Sequence, residues 1–96
     1  KLHQWRTLVT ARAMDSTAFL VAVDQAAGPG ARPGSPTGIG HSMVVAPTGD
    51  VLLELGDGPE LAFVDLDLAS VAGVRARLPV LRHAVPFPLH TDGQPL

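Results

Sequence analysis

The sequence predicts an α/β fold, and one that is a portion of a layered α/β domain. Three observations predict it: a helical apolar pattern at the start, a short unbroken apolar run after it, and two further apolar runs joined by a turn. The elements come as helix, buried strand, loop, hairpin, strand, helix and tail. That order leaves apolar faces with too few partners within 96 residues, so it requires the rest of a layered domain or a second subunit to cover them.

The first element is justified by spacing. Trp5, Leu8, Val9, Arg12 and Ala13 recur at i, i+3, i+4, i+7 and i+8, which is one face of a helix over residues 3–16. Arg12 on that face reads either as a snorkelling side chain or as half of a buried ion pair. Ala18–Val23 is apolar without alternation and reads as a strand buried on both faces. Asp24–Gly40 carries five Gly and three Pro, the composition of a long loop with special backbone angles.

His41–Ala46 and Val51–Leu55 read as a hairpin around the turn Pro47-Thr48-Gly49-Asp50. Leu61–Leu66 reads as one more strand. Asp67 is placed to cap a helix that runs through Arg77 and stops at Pro79. Residues 1–82 are therefore taken as one segment of a domain, and residues 83–96 as a Pro-rich extended tail.

Composition excludes several classes. Net charge is −2, with no basic cluster and no aromatic stacking set, which argues against a nucleic-acid partner. The longest apolar runs are far too short to span a membrane. With no Cys there is no disulfide, thiolate zinc site or thiol nucleophile in these residues. Zero Cys and the lack of a visible signal peptide fit a cytoplasmic protein. The first residue is Lys1, directly before a helical pattern, which suggests a chain cut from a longer one.

The sharpest chemical reading lies in the stretch GIGHSMVVAPTGDVLLELG, where His41-Ser42 resembles a base and nucleophile pair. Neighbours on a strand point to opposite faces, and the stretch lacks the final Gly of a G-x-S-x-G elbow, so the reading as the mouth of a hairpin outweighs it. Ser42 is then expected to satisfy backbone groups, with His41 at the sheet edge. His3, His41, His83 and His90 lack zinc-like spacing. Gly28-Pro29-Gly30 and Gly38-Ile39-Gly40 do not continue into a phosphate-binding motif. Arg75 and Arg77 suit a helix C-terminus. No metal and no cofactor is expected.

Four motifs in order resemble the C-terminal part of a carbon–nitrogen hydrolase, the nitrilase superfamily. They are W..L...RA.D at Trp5, Leu8, Arg12, Ala13 and Asp15; FLVAV followed by Asp24 and Gly28; GIGHSMVVAPTGDVL; and VDLDLASVAGVRARLPVL with Asp67, Arg75 and Pro79. The resemblance covers residues 3–82 and is similar to the aliphatic amidase, ω-amidase and N-carbamoyl amino acid hydrolase branches. It implies an α-β-β-α sandwich, a homo-oligomer, and cleavage of a small amide or N-carbamoyl substrate by a Cys nucleophile with a Glu base and a Lys.

All three catalysts lie upstream in that family. No catalytic residue is therefore assigned here, Glu54 and Glu60 included, and the chain alone is expected to be inactive. Asp24, Gln25 and His41 are the candidates for the rim of the substrate pocket. Trp5, Arg12 and Asp15 are the candidates for an oligomer interface, with Arg12 and Asp15 as an ion pair. The sequence departs from the family at Asp15-Ser16, usually Glu-Asn, and at Gln25, where Asn is common. The alternative reading is a non-catalytic interaction module or pseudoenzyme remnant stabilised by a partner subunit.

Overall fold

The structure, a computed structural model, describes residues 1–28 and 32–89. His90 and the segment Pro29–Gly30 lie outside the described residues, as does the tail beyond Leu89.

Helix α1 spans Leu2–Ser16. Its buried stripe is Val9 and Ala13 with half-buried Trp5, one residue per i+4 step, and Thr17 continues it at the C-cap. Thr17 is left-handed, with φ 49, and its N–H bonds the carbonyls of Ala13 and Met14 to close the helix. The stripe is narrower than the spacing suggested. Leu8 is exposed, and so is Arg12, whose guanidinium reaches only Asp15. The i, i+3 positions fall on the solvent side because a single small sheet can cover only one row of the helix.

Strands β1 (Leu20–Ala22), β2 (Met43–Val45) and β3 (Val51–Glu54) form an antiparallel sheet in that order. Leu20 pairs with Val45 and Ala22 with Met43, while Met43 pairs with Glu54 across the other edge. Central β2 is buried along its whole length and packs on α1 through Met43 and Val45. A register shift between Val44 and Val45 matches the bend of the strand into its turn. Gly49, at φ 89, completes that turn by donating to Ala46 O.

Four expectations are corrected. The β1 run is not buried on both faces: Val21 and Val23 are 57% and 79% exposed, because α1 covers one side and none of the described residues covers the other. His41 and Ser42 precede β2 instead of belonging to it, since φ 55 at His41 is incompatible with a strand. Residues 61–66 alternate in burial as a strand would, yet have no ladder partner among the described residues. Asp67 contributes its carbonyl, not its carboxylate, to the start of α2 (Ser70–Arg77), accepting from Ser70 N–H and Ser70 Oγ.

Arg75 of α2 donates from Nε to Thr17 O, tying the two helices together. After α2 the chain turns at residues 80–83, and residues 84–89 belong to no helix or strand.

Candidate functional site

The site forms where the loop 24–40 meets the hairpin. Two glycines make the junction. Gly38 lies so close to the Gln25 backbone that a side chain could not be added. Gly40 has φ +68, and its N–H donates to Gln25 O at 3.1 Å. His41 N–H then donates to Gly56 O, and Leu55 N–H to Ser42 O, extending the pairing of β2 and β3 past the ends of the strands.

Gly40 and His41 are both in the left-handed region, and the His41 ring and the Ser42 hydroxyl bond different partners. His41 Nδ1 lies 2.9 Å from Glu54 Oε2, and Nε2 lies 2.6 Å from Asp57 Oδ1. An imidazolium, with hydrogen on both ring nitrogens, donates to both carboxylates at once, whereas a neutral ring donates to only one. The His41 pKa is raised, first by the hydrogen bond to Glu54 and then by that to Asp57.

Glu54 is also gripped from α1. Arg6 Nε donates to Oε1 at 2.9 Å and Nη2 to Oε2 at 2.6 Å, a forked pairing. The Glu54 carboxyl is held down to about 2, chiefly by Arg6 and next by His41. The Trp5 indole N–H donates to His41 O at 2.8 Å, so one turn of α1 touches both the backbone and the charge cluster of this junction.

Ser42 serves the backbone. Its Oγ accepts from Asp24 N–H at 3.0 Å and donates to Asp24 O at 3.3 Å. The Asp24 carboxylate accepts from Ile39 N–H at 2.9 Å. This closes the loop 24–40 on itself. Neither His41 nor Ser42 is free to act as base and nucleophile toward the other.

Asp24, Gly40, His41, Ser42, Gly56 and Glu60 line one cavity of about 240 Å³. Asp24 and His41 are thus brought together, while Gln25 reaches the junction through its carbonyl and leaves its side chain exposed. Trp5 is turned inward, toward the core and His41. Arg12 and Asp15 form an exposed pair at 2.6 Å, three residues apart on α1. Among the described residues no group of three or more His, Asp or Glu is arranged to hold a metal. No helix among the described residues is long and apolar enough to cross a membrane.

Sequence reasoning missed Glu54 and Asp57 as partners of His41, and Arg6 as the partner of Glu54. The hairpin carried a signal for Glu54: with Met43 opposite Glu54, His41 is its diagonal neighbour. Nothing in the spacing pointed to Arg6, 48 residues from Glu54.

The family model described as carbon-nitrogen hydrolase matches residues 2–76. A hydrolase of Mycobacterium tuberculosis is 41% identical over 93 residues, which cover 91% of this chain and 33% of that protein. Deaminated glutathione amidase of Mus musculus is 35% identical over 92 residues, covering 96% of this chain and 28% of that protein. A crystal structure of a carbon-nitrogen hydrolase from Helicobacter pylori superposes with a TM-score of 0.71 at 30% identity, over 86% of this chain and 30% of that one. The chain spans about a third of the length of the curated relatives it matches.

Proposed function

The chain belongs to the carbon–nitrogen hydrolase family, and on that premise we propose that it is the C-terminal segment of an enzyme that hydrolyses a small amide or N-carbamoyl compound. One observation carries this reading: helix, strands and hairpin follow the order of a solved carbon-nitrogen hydrolase across 86% of the chain. The similar mouse protein is named an amidase, which supports an amide as the substrate class.

The chemistry is supplied from outside these residues. The sequence contains no Cys, so an acyl-enzyme on sulfur requires a nucleophile from the remainder of the protein. This segment furnishes scaffold and one wall of the pocket. Asp24, Gln25 and His41 stand at its rim, with His41 fixed by Glu54 and Asp57 and therefore unsuited to moving a proton freely.

The uncovered apolar side chains support a four-layer α-β-β-α arrangement in the whole protein. Val21, Val51, Leu61 and Phe63 are at least half exposed, with Phe63 at 89%. Burying such surface is worth roughly 25 cal/mol per Å², which favours a second sheet and further helices against it. A homo-oligomer is also part of this reading, with the exposed Arg12–Asp15 pair on the interface and Trp5 bracing the helix from behind. A cytoplasmic location completes it.

The test uses the complete polypeptide in which these residues occur, assayed for ammonia release from a panel of small amides and N-carbamoyl amino acids. Hydrolysis that disappears when the upstream Cys is replaced by Ser, together with no turnover by residues 1–96 alone, is the expected result. Failure on the whole panel, or turnover by the 96-residue chain alone, overturns the reading.

A further inference from the structure

The charge cluster around His41 is more elaborate than a scaffold needs. Four side chains from four places in the chain meet there: Arg6 from α1, His41 from the Gly-rich junction, Glu54 from β3 and Asp57 from the turn after it. The His41 ring joins a firmly held carboxylate to an exposed one. Glu54 has Arg6 on its other side and is largely covered, whereas the Asp57 side chain is 90% exposed and, among the described residues, has only His41 as a side-chain partner.

We propose that His41 is a positioning residue that latches the Gly56–Glu60 turn against the Gly-rich junction while the ring is charged, and releases that turn when the ring loses a proton. Neutral imidazole has one N–H to donate. The remaining N–H stays with Glu54, whose side chain is only 21% exposed, while Asp57, 90% exposed, exchanges its bond to the ring for water and is the partner released. The turn that carries Asp57 contributes Gly56, Gly58, Pro59 and Glu60 to the cavity wall, so release alters the pocket.

The other charged groups at the cavity do not compete for the ring. One Asp24 oxygen is occupied by Ile39 N–H, and one Glu60 oxygen accepts from Gly56 N–H at 3.1 Å. Arg6 is the cation packed nearest, and it is spent on Glu54. The direction of the titration follows from the geometry. A His whose folded pKa is raised above the ordinary 6.5 stabilises the fold fully below 6.5 and loses that contribution as pH rises through the raised value. The latch is therefore closed in mildly acidic solution and opens toward alkaline pH.

The experiment is an NMR titration of the His41 ring in the complete polypeptide, without substrate, with amide hydrogen exchange of Gly56, Asp57, Gly58 and Glu60 followed across the same pH range. Because no turnover is read, its outcome is independent of whether the amide-hydrolase reading holds. The expected result has three parts. The His41 midpoint lies above 6.5, it moves down in Asp57→Asn, and exchange in the turn, divided by its intrinsic base-catalysed rate, rises in step with the ring titration.

His41→Asn tolerates the left-handed backbone and keeps the junction folded, so its turn should exchange at a pH-independent relative rate set by the open state. A midpoint at or below 6.5 overturns the latch. So does turn protection that ignores the ring titration or persists unchanged in His41→Asn.

Discussion

Replacing Gly40 by Ala tests whether the junction is as tightly fitted as the geometry states. The φ of +68 places an L-residue in the left-handed region, at a cost of about 1–2 kcal/mol. The new Cβ would lie 2.7 Å from Gly56 O and 2.9 Å from Asp57 O. Both are backbone atoms, so no side chain can swing aside. Moving them apart stretches the His41 N–H to Gly56 O bond of 3.0 Å, worth about 1 kcal/mol net. The stiffer unfolded chain returns about 0.4–1 kcal/mol. The sum is a loss of about 2 kcal/mol.

Equilibrium urea denaturation of the complete polypeptide measures it. Gly58→Ala is the internal control, because nothing lies within 4 Å of its added Cβ, and it should change stability by less than about 0.5 kcal/mol. If Gly40→Ala is as mild as Gly58→Ala, the account of the junction is wrong.

Three other expectations concern neighbouring parts. Val45 of β2 is fully buried beneath α1, so Val45→Ala should cost about 2–3 kcal/mol in a thermal melt. Ser42→Ala leaves the Asp24 amide without its acceptor and should cost about 1–3 kcal/mol while retaining turnover; loss of activity in a folded variant would restore Ser42 to the chemistry. Glu54, ordinarily near 4.5 and here about 2, contributes stability that is complete above 4.5 and drains away as pH falls toward 2. Glu54→Gln should flatten that acid limb in pH-dependent denaturation, and an unchanged limb would refute the Arg6–Glu54–His41 linkage.

What was legible in the sequence was local. The i+4 row Trp5, Val9, Ala13, the turn at Pro47–Asp50 and the end of α2 before Pro79 are each decided by a few neighbouring residues. The backbone role of Ser42 was legible too, because a hydroxyl at a strand entrance has few other uses. Less was legible where partners are distant. Residues 61–66 have the alternation of a strand, but a ladder requires a neighbour that the pattern cannot supply. His41 was expected at a sheet edge, and its real conformation follows from Gly40 and from carboxylates more than ten residues away. Arg6 gave no signal at all: a basic residue on the polar side of a helix looks solvated until the tertiary fold delivers Glu54 to it.

The outline of the molecule has a thermodynamic corollary. Its extents are 61 × 38 × 16 Å and its radius of gyration is 19.0 Å, where about 13 Å is usual for a compact chain near this length. A slab 16 Å thick is little more than one helix lying on one sheet, so unfolding these residues by themselves would expose little new apolar surface. The heat-capacity increment and the denaturant slope both scale with that surface. The 96 residues in isolation would therefore melt as a shallow, broad transition with a small heat-capacity step, and the sharpness of their melting in any larger assembly is conferred by whatever lies against their bare side.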